Sequence, residues 1–200
     1  MMVAERDKIF YHLHRLGSYD KEWNLGNTLE IDKDFISYFY ENILLRERIL
    51  KENNPNYDID KIIKALEMMK ENKDTGYLSY HKFSSTMNDY YIFRRELALE
   101  EGRKLYNNNA PSRLHSIYLS DEESLYHWLQ YIGICSRLFE VEVDGDIFVS
   151  SDYLFPDIRA SFEEQVMGSK EYWQPKRLLK TSPREYLVQG KIKIKGERQI

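Results

Sequence analysis

The sequence predicts an α+β fold. Three observations predict it: a short alternating stretch opens the chain, helical periodicity dominates the first half, and alternating strand-like segments dominate the second. The 200 residues contain no internal repeat, no low-complexity tract and no long linker, so residues 1–200 read as one domain.

The elements follow in order. Lys8 to Arg15 alternates apolar and polar positions, which predicts a strand. Gly17 to Gly26 reads as a loop. Asp32 or Asp34 can cap a helix beginning near Phe35 and carrying Phe39, Ile43, Leu44 and Ile49. Asn53-Asn54-Pro55-Asn56 breaks it. Asp58 opens a second helix with Ile62, Ile63, Leu66 and Met69 at helical spacing. Asp74-Thr75-Gly76 reads as a turn. A third helix is expected from Asn88 to Tyr106, with Glu96, Glu100 and Arg103 on its polar side; Asn107 to Pro111 ends it.

The pattern then changes. Arg113 to Leu119 reads as a strand. Ser120 and Glu123 have the spacing of a capping box before a helix holding Leu125, Trp128, Leu129 and Ile132. Leu138 to Val143 predicts a strand, Asp144-Gly145 a hairpin turn, and Ile147 to Ser150 the returning strand. Pro156 to Met167 predicts a helix and Tyr186 to Ile194 a last strand. Trp128 and Trp173 read as core anchors, because Trp is usually well buried.

Composition bounds the function. A net charge of −4 argues against a broad basic surface for nucleic acid, which needs clustered Lys and Arg. Cys135 is the single cysteine and lies in an apolar stretch, so no internal disulfide forms. No apolar run approaches the roughly 18 residues that span a bilayer. Met1 to Lys8 carries Glu5, Arg6 and Asp7 rather than an apolar leader, and a cytoplasmic place with no membrane partner is expected. Sixteen tyrosines offer rings for packing and hydroxyls for clefts.

The common catalytic signatures are missing: no phosphate-binding glycine loop, no HExxH, no paired CxxC and no GxSxG. His12 and His14 are expected on opposite faces of the opening strand, so no shared metal is expected.

Three segments carry a candidate site: Tyr11-His12-Leu13-His14-Arg15, Ser116-Ile117-Tyr118 ahead of a helix, and Glu185-Tyr186-Leu187-Val188. In this order they resemble the ADP-ribosyltransferase superfamily. Its members open on an aromatic-His-x-Thr-Arg strand and reach a late Glu-Tyr-Leu-Val-like strand. The chain looks closest to a bacterial domain family of unknown function placed in that superfamily. That likeness extends to Arg95-Glu96-Leu97, Arg103, Pro111-Ser112-Arg113 and Tyr172-Trp173. It leaves out roughly residues 32–80, which read as a helical insertion.

The resemblance implies a split antiparallel sheet and NAD as substrate. It makes Glu185 the carboxylate that opposes positive charge on the ribose as nicotinamide leaves. His12 would hold the adenine-side ribose, Tyr118 would stack on nicotinamide, and Ser116 would support Glu185 or the ribose. Arg15 or Arg113 would pair with the pyrophosphate, and the backbone at Leu13 would meet the nicotinamide amide. Two positions depart from the pattern: Leu13 stands where members often have Gly, and His14 where they have Thr.

The expected function is therefore mono-ADP-ribosyl transfer to a protein or nucleic-acid acceptor. Two alternatives stand beside it. One is an inactive module of the same fold that binds a partner through the helical insertion. The other is an NAD-dependent RNA 2′-phosphotransferase-like enzyme.

Overall fold

Two long alternating stretches build the centre of the fold, because alternation gives a strand one face for each of two cores. They are β4 (Arg137–Ser150) and β5 (Glu185–Arg198), antiparallel along their whole length. The remaining elements are β1 (Phe10–His14), β2 (Thr28–Ile31), α1 (Lys73–Tyr106), β3 (Ile117–Leu119), α2 (Glu122–Ile132), α3 (Phe162–Gly168) and α4 (Lys170–Trp173). This computed structural model describes residues 8–14, 22–37, 41, 73–132, 137–176, 178 and 181–198. Helices with a five-stranded antiparallel sheet make the fold α+β.

The sheet runs β1-β4-β5-β2, with β3 also on β5. Its ends meet. Tyr11 of β1 and Ser120, just past β3, exchange two backbone hydrogen bonds of 2.9 Å. The circuit β1-β4-β5-β3-β1 is thus closed, and a closed circuit removes exposed edges. Inside it lie Phe10, Ile117, Leu119, Phe139, Val141, Ile147, Val149, Tyr186, Val188, Ile192 and Ile194. Outside it, Phe148 and Leu187 pack on Leu99 of α1 and on Tyr172 and Trp173 of α4, forming a second core.

Such tight curling needs a close approach between β4 and β5. Gly145 faces Gly190 across the ladder, and Gly190 has φ 129°, a region that favours glycine. A Cβ on Gly145 would stand 2.2 Å from the Gln189 carbonyl oxygen. Asp144-Gly145 is therefore no hairpin turn: β4 runs through it, and the glycine serves the bend instead. Gly145→Val is expected to destabilise the protein by about 2–3 kcal/mol, since backbone rather than a movable side chain must give way. Equilibrium urea unfolding measures it.

Other expectations are corrected. Strand β2 was not foreseen, nor was α4. Arg113–His115 is a 3-10 turn capped by Ser112, not strand; β3 keeps only Ile117–Leu119. Asp121, not Ser120, caps α2: its Oδ1 accepts Ser124 N at 2.8 Å, while the Ser120 backbone is taken by Tyr11. The helix expected from Pro156 begins at Phe162 behind a Ser161–Glu164 capping box. Asp74-Thr75-Gly76 lies inside α1, since one glycine costs a helix only about 1 kcal/mol and does not break it. Phe35 to Ser37 are not helical. Of the rest of that helix only Glu41 is described; it is helical, its N–H donating to the Ser37 carbonyl at 2.8 Å. The helix after Asp58 and Cys135 fall outside the described residues.

No helix among the described residues is long and apolar enough to cross a membrane.

Candidate functional site

The candidate site is built where α1, the 3-10 turn, α4 and β5 meet on the outer face of the sheet. Ser112 starts the turn, its hydroxyl accepting Leu114 N at 3.2 Å, and this aims Arg113 inward. Arg113 is buried, at 3% exposure. Its Nε donates to Glu96 Oε2 at 2.7 Å, and its Nη1 donates to Tyr172 Oη at 2.6 Å and to Glu185 Oε1. Tyr172 Oη donates to the same Glu185 oxygen at 2.5 Å. Glu96 and Glu185 are themselves only 1% and 7% exposed.

Aromatic faces enclose the guanidinium. Its carbon lies 4.8 Å from the Phe155 ring centre, 5.1 Å from Tyr172 and 5.2 Å from Tyr118. Burial alone would lower the Arg113 pKa, but the Glu185 and Glu96 carboxylates hold it well above its ordinary value. Burial pushes the Tyr118 and Tyr172 hydroxyls up, so both remain neutral donors. Tyr118 donates to the Arg113 carbonyl at 2.7 Å. A buried guanidinium is tolerable only when paired and hydrogen-bonded in this way.

Beside it, Ser112 Oγ donates to Glu100 Oε2 at 2.9 Å, and Arg103 forks onto the same carboxylate. Glu96 thus leaves the polar side of its helix, where it was expected. It shares a stripe with Leu99 at the i+3 spacing, and that stripe faces the second core. This placement was the available signal for Glu96.

The structure brings Tyr118, Arg113 and Glu185 together and leaves His12 elsewhere. Tyr118 and Glu185 extend from the outer face of β3 and β5. His12 extends from the face of β1 that carries Phe10, toward the inner core. It stacks on Trp23 with ring centres 4.2 Å apart, and its Nδ1 meets the backbone carbonyl of Tyr118, at 3.1 Å. His14 lies on the same face as His12, not the opposite one, with ring centres 5.6 Å apart, because residues two apart share a strand face. Leu13 is on the outward face of β1, half-buried. Ser116 is fully buried, and its Oγ meets no hydrogen-bond partner among the described residues. Arg15 lies outside the described residues. Among the described residues, no three His, Cys, Asp or Glu side chains are grouped to hold a metal ion.

Burial beside Trp23 lowers the His12 pKa to about 3; the Tyr118 carbonyl opposes the shift and His14 adds to it. In the unfolded chain the same imidazole titrates near its ordinary value, about 6.5. Between these values the unfolded state binds a proton that the folded state refuses. Stability is therefore full above about pH 6.5 and falls toward pH 3, by up to about 1.4 kcal/mol per pH unit from this group. Urea midpoints measured across that range test this: His12→Phe should lessen the decline, and an unchanged slope counts against it.

Fold and site together define an α+β protein with a curled antiparallel sheet and an ion cluster sealed beneath its helices. The chain belongs to the family described as "Protein of unknown function (DUF2441)", whose model matches residues 10–199. No curated protein matches the chain.

Proposed function

We propose that this chain is an ADP-ribosyltransferase-like module that binds a protein partner and does not turn over NAD. One observation carries the reading: Glu185, the carboxylate the resemblance assigns to catalysis, is buried and bonded to Arg113 and Tyr172. A carboxylate that assists ribosyl transfer must face a hollow where positive charge grows. Glu185 instead faces a guanidinium that already neutralises it. His12, on the other face of the sheet, cannot share a ribose with it.

The same cluster weighs against the RNA 2′-phosphotransferase alternative, because Arg113 is already committed to two carboxylates and is not offered to phosphate.

The partner-binding half of the proposal rests on where the insertion is rooted. Ser37 N donates to the Leu114 carbonyl at 3.1 Å, and His115 Nδ1 meets the Phe35 carbonyl at 2.8 Å. The returning helix α1 is held to the same turn through Glu96 and Arg113. The segment that leaves the frame and the helix that returns from the insertion are thus tied to the same turn, the helix at Glu96 well past the insertion, which suits a frame that presents an insertion.

The expected result with labelled NAD is no labelled product, no free nicotinamide and no rise in melting temperature, because a ligand bound only to the folded state must stabilise it. Nicotinamide release by the wild-type protein, or a clear thermal shift with NAD, defeats the reading. Replacing residues 42–70 with a Gly-Ser linker should abolish association with a protein partner while the melting transition persists.

A further inference from the structure

Arg95, beside Glu96 on α1, is a cation that its own chain leaves incomplete. Its side chain is 15% exposed, and its guanidinium carbon lies 4.4 Å from the Phe155 ring centre. The carboxylate oxygen it approaches, Glu96 Oε1, stands 3.7 Å from Nη2, beyond hydrogen-bond reach. Arg113 already engages both oxygens of Glu96, at 2.7 and 3.4 Å. Arg95 Nε is shut off from water and meets no partner among the described residues. The guanidinium as a whole makes no hydrogen bond to any of them.

The charge around it is positive. Arg94, the preceding residue, reaches the same connection between β4 and α3, its Nη2 donating to the Ile158 and Ala160 carbonyls at 3.3 and 2.6 Å. Those acceptors are neutral, and among the described residues no carboxylate lies within ion-pair reach of Arg94. The carboxylates of that connection and of α3's first turn are held locally: Asp157 Oδ1 accepts Arg159 N at 2.9 Å, and Glu164 Oε2 accepts Ser161 N at 2.9 Å. Arg94, Arg95 and Arg113 are thus set against two carboxylates, Glu96 and Glu185. A guanidinium drawn this far out of water needs a paired acceptor. Its five N–H donors form a planar fork that matches the oxygens of carboxylate and phosphate.

We propose that Arg95 is an anion site, taking one carboxylate or phosphate group of a small ligand beside the Phe155 ring and in the field of Arg94. The site does not depend on whether NAD is turned over.

The test is NMR on the ¹⁵N-labelled full chain, titrated with sodium phosphate and separately with sodium acetate, the ionic strength held constant with sodium chloride. Because Arg95 Nε is shielded from water, its N–H signal should exchange slowly enough to be seen. A saturable shift of that signal with at least one of the two anions is expected, and which one moves it tells a phosphate-bearing from a carboxylate-bearing ligand. Arg95→Lys removes the signal, which assigns it. The variant keeps the charge but loses the fork, so it should weaken that anion's binding, followed by backbone amide shifts, about tenfold, the effect of one charge-assisted hydrogen bond. The wild-type titration stands without the variant. No saturable shift with either anion overturns the proposal, and so does a shift that sodium chloride alone reproduces. Binding that a folded Arg95→Lys variant leaves unchanged also overturns it, because the anion is then held elsewhere.

Discussion

Arg113→Met is expected to destabilise the protein by about 3–5 kcal/mol, the cost of breaking a buried ion pair from one side. That is a large share of a domain's total stability, about 5–15 kcal/mol. The reason is not the lost hydrogen bonds alone. Glu96 and Glu185 are nearly inaccessible to water, and without the guanidinium both carboxylates stay desolvated and close together. Phe155, Tyr118 and Tyr172 also lose the cation between them. Equilibrium unfolding in urea measures the change. Adding Glu96→Gln and Glu185→Gln to Arg113→Met should restore much of the loss, since unpaired charge is the main penalty. If the single variant is as stable as wild type, the cluster does not hold the helices to the sheet as described.

Trp173→Ala should cost a similar amount, about 3–5 kcal/mol, as expected when a fully buried large aromatic is truncated. In a chain of this length that lowers the melting temperature by roughly 10–15 °C. Trp173 is completely buried, its indole N–H donates to the Leu99 carbonyl at 2.6 Å, and its ring lies 4.9 Å from Tyr172 and 5.1 Å from Phe148. The cavity would open between α1, α4 and the outer face of β4 and leave a helix carbonyl without its donor. Trp128→Ala is the comparison: its indole donates to the Arg184 carbonyl at 2.8 Å, but it extends from α2 and is 9% exposed where Trp173 is fully buried. Its loss should be smaller by thermal denaturation. Equal losses would mean that the outer core holds Trp173 no more tightly than α2 holds Trp128.

Local patterns reached far in some places. Alternation found β1, β4 and β5, and a capping-box spacing found the start of α2 to within one residue. The two tryptophans named as anchors are buried. The same patterns misread Asp144-Gly145, whose turn signature is real in isolation. What overrides it is Gly190, 45 positions later in number, which lets β4 and β5 press together without a turn. Strand β2 was missed because four residues, only one of them buried, leave almost no period to detect.

For the site, the resemblance named Glu185, Tyr118 and Arg113 from distant stretches, Arg113 for a pyrophosphate, and the structure brings these three side chains together. The sequence could not say that Arg113 would spend its charge on Glu185, because that needs Glu96 and Tyr172 brought in from two helices. Nor could it say that His12 would turn toward Trp23 and the inner core. Periodicity assigns a residue to a face of its own element. Only the closing of β1 onto β3 decides which core that face looks into, because the closure is made by backbone pairing between distant residues that no local pattern records.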